Sequence, residues 1–299
     1  MDLTIVMSTC NRAIDTQRFL ESLETTQCRP EVKWEVIVVD NNSTDQTSAV
    51  VSEYIQRAGY PLKLLLEARK GKSAGVNAGI SAARGKIIAL TDDDIIVTQD
   101  WVQGIIDYFQ QNELAGCIGG MVQLFNPADA PITIKTDPTP AIVEHANFTP
   151  HNTPVFGCNA AIRRTVLDET GLFDLELGPG TPMRAAEDID LVYRIAKAGF
   201  QIHYVPSIMV FHNHGRRTQE QVRRIRRDYG YGMGALYAKY FKLFDRQIMR
   251  CAYWDIRDTL RRNILRCMFD KESREQMRNV YYNLIGILLY LRHHKESPT

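Results

Sequence analysis

Three consecutive carboxylates, Asp92, Asp93 and Asp94, close an apolar run that begins at Ile87, where folding alone gives no reason to crowd negative charge. A strand feeding a turn places alternate side chains on one face, so Asp92 and Asp94 are expected to converge while Asp93 points elsewhere. Two convergent carboxylates make a hard-cation site with room left for the phosphates of a ligand. The plain alternative is a solvated acidic turn that caps the next helix.

The elements that must position this triplet follow from patterning. Through the first ~120 residues, β-branched apolar runs alternate with helical patterns, which indicates a mostly parallel sheet covered by helices. Strands are predicted over residues 3–8, 34–39, 62–66, 86–90 and 117–122, with helices near 16–25, 45–57, 73–83 and 101–112. Polar clusters follow the strands at Thr9-Cys10-Asn11-Arg12, at Asp40-Asn41-Asn42-Ser43 and at the triplet, where open α/β sheets bind ligands. Residues 126–154 hold six of the twelve prolines and read as a mobile wall of the site or as a surface excursion. A strand over 155–162, a helix opening at Glu187 and stopped by Gly199, and a strand over 201–205 come next. Residues 218–294 read as two or three helices rich in Arg and Tyr.

Six cysteines lack paired zinc spacing, and no signal peptide or membrane span is expected, so a reducing cytosol fits best. The net charge of +1 conceals a division: residues 1–215 carry 17 basic and 26 acidic side chains, residues 216–299 carry 19 and 9. Such asymmetry points to an anionic partner for the tail, or to docking of the tail on the acidic body.

Taken in order, Met7-Ser8-Thr9-Cys10-Asn11-Arg12, Val39-Asp40-Asn41-Asn42-Ser43-Thr44-Asp45, Lys70-Gly71-Lys72-Ser73-Ala74-Gly75-Val76-Asn77, the triplet, Phe156-Gly157-Cys158-Asn159-Ala160, Glu187-Asp188 and His212 resemble family 2 glycosyltransferases of the GT-A fold. The likeness covers residues 2–215; each motif is weak alone, and their joint order is specific. It implies an α/β, Rossmann-like mixed, mostly parallel sheet flanked by helices as a catalytic domain over 1–215, with a basic helical C-terminal extension over 216–299. The implied activity is inverting, metal-dependent transfer of a sugar from a nucleoside-diphosphate sugar, UDP favoured. The implied acceptor is a hydroxyl of a saccharide or lipid-linked saccharide, in polysaccharide or glycoconjugate synthesis.

Carried over residue by residue, Thr9 and Asp40 hold the nucleotide base, Asp40 accepting from an imide N–H unless it serves only its turn. Asn11, Arg12 and Asp93 belong to the same nucleotide-binding set, Arg69 or Lys72 adds a cationic contact, and Asn77 orients that loop. Asp92 faces the ribose and joins the metal set, and Asp94 binds a divalent metal that neutralises the departing diphosphate. His212 completes the metal shell or is structural; an imidazole favours Mn²⁺, with Mg²⁺ the alternative. Asp188 is assigned as the general base and Glu187 as its partner at the acceptor, with the exchanged assignment open. Their place at a helix N-terminus is expected to lower their pKa. Gly157, Cys158 and Asn159 form the sugar and acceptor floor.

In the tail, six arginines between Arg216 and Arg227 neighbour Tyr229, Tyr231, Tyr237, Tyr240 and Phe241, the composition of an interfacial helix at the inner face of a membrane, or of a solvated helical cap. Nucleic acid is not an expected partner, and the oligomeric state is not read from the sequence. The rival classes are a catalytically idle nucleotide-binding or membrane-docking partner in a polysaccharide assembly complex, and a nucleotidyltransferase, which the missing Gly-rich phosphate loop disfavours.

Overall fold

The computed structural model of the chain describes residues 1–296. Four apolar runs, β1 (Leu3–Thr9), β2 (Trp34–Asp40), β3 (Leu62–Leu66) and β4 (Ile87–Thr91), lie parallel in the order β3-β2-β1-β4. β1, β2 and β4 are buried almost throughout, as continuous apolar parallel strands covered on both faces must be. The crossovers are α1 (Ala13–Glu24), α2 (Thr47–Arg57) and α3 (Lys72–Ala82).

Beyond β4 the chain adds β5 (Ile95–Val97), α4 (Trp101–Gln111), β6 (Ala115–Leu124), β7 (Ala141–Val143), β8 (Asn159–Arg163), α5 (Arg164–Thr170), α6 (Glu187–Lys197) and β9 (Gln201–His212). All nine strands share one sheet; β6 and β9 run with β1–β4, whereas β5, β7 and β8 oppose them. α7 (Gln219–Lys242), α8 (Arg246–Asn263) and α9 (Lys271–Glu296) complete the chain. The last three residues of the 216–299 extension lie outside the described residues.

Several boundaries differ from the sequence reading for physical reasons. The strand expected over 155–162 begins only at Asn159, because Phe156 and Gly157 turn the chain, with the Asn159 N–H bonded to the Phe156 carbonyl at 2.9 Å. The strand expected over 201–205 continues through Pro206 to His212, with a register shift between Gly120 and Met121 on the partner strand β6. Gly120 makes that stretch workable, since a Cβ there would meet the Ile208 carbonyl at 2.0 Å and the Asn159 amide at 2.3 Å. The Pro-rich stretch is partly ordered on the sheet: β7 pairs with β9, and Lys135 bridges to Val122.

α7 does not lie apart from the sheet. Ala235, Leu236, Tyr237 and Tyr240 belong to the same buried cluster as Val6, Ile37 and Ile88. Tyr237 and Tyr240 bond to Asp255 and Asp190, so these aromatics serve the interior and not an interface. No described helix is long and apolar enough to cross a membrane.

Candidate functional site

Connections from β1 carry β2 and β3 to one side and β4 to the other, and the crevice at such a reversal is where α/β sheets bind ligands. Its rim is Thr9, which ends β1, and the Asp92-Asp93-Asp94 turn after β4. The triplet is a turn between β4 and β5, so strand alternation does not set its side chains, and each carboxylate meets a different partner. Asp92 forms an ion pair with Lys72 at 2.5 Å. Asp93 accepts from the Thr9 hydroxyl at 2.7 Å; burial and the neighbouring Asp94 push its carboxyl up to about 7, against the pull of Arg12. Asp94 lies 3.2 Å from His212 Nε2, and this partner outweighs burial, holding the Asp94 carboxyl well below the ordinary carboxylate range. His212 Nδ1 meets the Thr133 carbonyl at 3.0 Å, which fixes that nitrogen as the donor and aims Nε2 at Asp94. Among the described residues no three His, Cys, Asp or Glu side chains form a ready cation cage.

Across the crevice, α6 presents Glu187 and Asp188 at its first turn. Asp188 accepts from the Gly157 N–H at 3.3 Å and the Ile189 N–H at 2.8 Å. A Cβ built on Gly157 would sit 3.7 Å from Asp188 Cβ and 3.9 Å from Lys72 Nζ, so these three residues line one space. The expectation that the helix N-terminus lowers the pair's pKa is overturned. Burial and repulsion from Asp188 push the Glu187 carboxyl up to about 7, and burial also raises Asp188, although Lys72 opposes both shifts. Lys72 itself is held charged: Asp92 and Glu187 overcome its burial and raise its pKa.

Other residues expected at the site are engaged by the protein. Of the two candidate cations, Lys72 reaches the crevice, whereas Arg69 is exposed and forks onto Glu67 at 2.8 and 3.0 Å. Both Asp40 oxygens are taken, by the Ser43 N–H at 2.7 Å and by the Ser48 hydroxyl, which is the turn role weighed beside base reading. Asn11, at φ 55°, ties two sheet-edge turns together by accepting from the Thr44 N–H at 2.7 Å. Asn77 brackets the Phe173 backbone at 2.8 and 3.0 Å. Asn159 needs correction as a floor residue: it is buried, accepts from Trp101 Nε1, and donates to the Met121 and Ile208 carbonyls. Cys158 is buried, and burial with nearby carboxylates raises its thiol pKa, so it is no thiolate.

Residues 4–171, more than half the chain, match the family model for Glycosyl transferase family 2. The chain belongs to that family. It is 26% identical over 229 residues to the pre-mycofactocin glycosyltransferase of Mycobacterium tuberculosis (strain CDC 1551 / Oshkosh), covering 75% of this chain and 45% of that protein. It is also 26% identical over 191 residues to the probable glycosyltransferase YdaM of Bacillus subtilis (strain 168), covering 61% of this chain and 44% of that one. The chain thus spans under half the length of both curated relatives. Among solved structures, the mannosyltransferase PcManGT from Pyrobaculum calidifontis, in complex with GDP-Man and Mn²⁺, shares the fold with a TM-score of 0.68 and 17% identity, over 97% of this chain and 86% of that one. TarS of S. aureus, residues 1–349 with UDP, gives 0.59 and 18%, over 78% and 65%. The GT-A fold implied by the resemblance is the fold found.

Glu187, Asp188 and His212 lie beyond the matched span, and so do residues near the acidic pair that the sequence reading either placed elsewhere, as it placed Tyr229 on an interfacial helix, or did not single out, as with Arg184 and Ala186. Tyr229 of α7 lies within electrostatic range of Asp188 and Glu187. Arg184 and Ala186, just ahead of the acidic pair, adopt the left-handed conformation at φ 67° and 74°, strained for residues with a Cβ. α7 braces them: Arg184 pairs with Asp228 at 2.8 Å and lies 4.8 Å over the Tyr231 ring, and Gly232 rests on Ala185, where a Cβ would come within 2.5 Å of backbone carbon. The Gly230, Gly232 and Gly234 series was the available sequence signal for close helix approach.

Proposed function

We propose that this family 2 glycosyltransferase moves a sugar, with inversion, from a nucleoside-diphosphate sugar to a hydroxyl of a saccharide or lipid-linked saccharide. The carrying observation is the Glu187-Asp188 pair, Glu187 buried and Asp188 half-buried, which shares a crevice with Lys72, Gly157 and the aspartate turn and whose carboxyl pKa values are both raised. A carboxylate with raised pKa is matched to take a proton from an alcohol as that alcohol attacks. Asp188 removes the hydroxyl proton while the oxygen bonds to the anomeric carbon; the bond from that carbon to the diphosphate oxygen breaks, and its electron pair leaves with the nucleoside diphosphate. Glu187 steadies the acceptor and Lys72 keeps the pair partly ionised.

On the donor side, Thr9, Asn11, Arg12, Asp40 and Asp93 are assigned to the nucleotide, UDP favoured, with Asp92 toward the ribose and Arg69 and Asn77 shaping the loop. Asp94 and His212 fit a divalent cation, Mn²⁺ or Mg²⁺, because an oxygen and a nitrogen donor stand side by side and the far imidazole nitrogen is fixed by a backbone carbonyl. When bound, such a cation neutralises charge on the departing diphosphate. The basic extension is assigned a peripheral contact with the inner face of a membrane, where a lipid-linked acceptor would be presented.

Incubation with UDP-, GDP-, dTDP- and CMP-sugars, with Mn²⁺ or Mg²⁺, tests this reading. Release of nucleoside diphosphate from one donor, with UDP first, is expected. Absence of nucleotide binding, donor hydrolysis and transfer across the whole panel would contradict it.

A further inference from the structure

Away from the crevice, the elbow between α8 and α9 carries an apolar surface that no described residue covers. Met249 and Tyr253 stand one turn apart on α8 with Trp254 beside them, all exposed. Past the helix end, Leu265, Met268 and Phe269 protrude with 77%, 72% and 87% of their surface accessible. Folding does not leave such side chains contiguous in water without a use.

Beside this row runs a ridge of arginines. Arg246, Arg250, Arg257 and Arg261 recur at spacings of four, seven and four, which keeps them on one side of the helix next to Met249 and Tyr253. Arg257 lies over the Trp254 ring at 4.6 Å and the Tyr253 ring at 5.9 Å. Among the described residues Arg246, Arg250, Arg261, Arg262 and Arg266 make no ion pair, whereas half of the six arginines of the earlier stretch, Arg217, Arg226 and Arg227, meet Asp129, Glu275 and Asp228. Residues 246–269 hold six arginines and two carboxylates, and one of those, Asp255, is taken by His151 at 3.2 Å.

We infer that this elbow, and not the Arg216–Arg227 stretch, whose neighbours Tyr237 and Tyr240 are buried, is the face that docks on an anionic bilayer. Leu265, Met268 and Phe269 enter the acyl boundary, Tyr253 and Trp254 occupy the headgroup level, and the unpaired guanidinium groups meet lipid phosphates. A lipid surface fits better than a protein groove because exposed apolar and aromatic side chains are interleaved with arginines over residues 249–269, the composition of a membrane interface. The inference names the face for the peripheral contact proposed above and rests on that reading.

Co-sedimentation of the full chain with mixed phosphatidylcholine–phosphatidylglycerol vesicles, and with pure phosphatidylcholine vesicles, tests it. Binding to the anionic vesicles is expected, weakened by salt and lowered at least about tenfold by Leu265→Asp or Phe269→Asp, since each replaces an exposed apolar side chain that the bilayer would bury. Nucleotide binding by the variants should be unchanged, which shows that they fold. No binding to anionic vesicles, or equal binding by wild type and variants, would overturn the inference. A concentration-dependent dimer abolished by the same substitutions, without vesicle binding, would assign the face to a second copy of this chain instead. Vesicle binding without transfer to any acceptor would count against the proposed reaction and leave the docking face standing.

Discussion

Glu35 and Glu187 are both buried carboxylates, and the protein treats them oppositely. Glu35, near the start of β2, accepts from Thr4 at 3.0 Å, Arg84 at 2.7 Å and Lys63 at 3.2 Å; these partners override its burial and hold its carboxyl down at about 2. Glu187, at the crevice, faces burial and a second carboxylate with one shared cation, Lys72, and is pushed up to about 7. Asp190, one turn further along α6, has the full set of partners that Glu187 lacks, from Arg194, Lys239 and Tyr240. Fuller compensation was therefore available on the same helix, and the proposed catalytic role accounts for its being weaker at positions 187 and 188, where Lys72 and two backbone N–H groups are the partners.

This contrast can be broken or sharpened by substitution. The largest effect is expected at the donor side: Asp94→Ala should lower kcat/KM on the order of 10³-fold and weaken cation-dependent nucleotide binding, read by titration calorimetry. Lys72→Met should lower kcat by about 10- to 100-fold. It should also move the acid limb of the pH–rate profile upward, because the cation that stabilises the ionised pair is gone. In the wild type that limb should fall near about 7, with activity lost as pH drops and the pair takes up protons. Gly232→Val should push α7 off Ala185 and cost about tenfold in kcat with nucleotide binding retained, the result of a displaced acidic pair.

Glu35→Gln should leave kcat unchanged and cost about 1–3 kcal/mol of stability by denaturant unfolding. Since the folded pKa of Glu35 is depressed, its contribution is present above the ordinary value of 4.5 and is lost as pH falls toward 2, so the variant should flatten the acid side of the stability curve.

The parallel half of the fold was legible because fully buried strands leave continuous apolar runs and their crossovers keep a helical period; β1, β2 and β4 meet the first condition, and β3, only partly buried, still leaves a leucine run. β8 and β9 were misjudged at their ends because Phe156-Gly157 turns the chain and Pro206 lies within a strand, both decided by the neighbouring strands. The acidic residues of the site could be picked out by type and order, but their pairings could not. That Asp92 meets Lys72 and that Asn159 is used up behind the floor depend on contacts across 20 and 58 positions of the chain. The direction of the Glu187 shift was missed for the same reason: a helix N-terminus is visible in the sequence, and burial beside Asp188 under α7 is not.

The most direct measurement is steady-state transfer by Asp188→Asn set beside its nucleotide affinity. Loss of about 10²- to 10⁴-fold in kcat with donor affinity retained is the predicted result. Wild-type turnover in that variant, or loss of donor binding in step with turnover, would contradict a catalytic carboxylate at the head of α6.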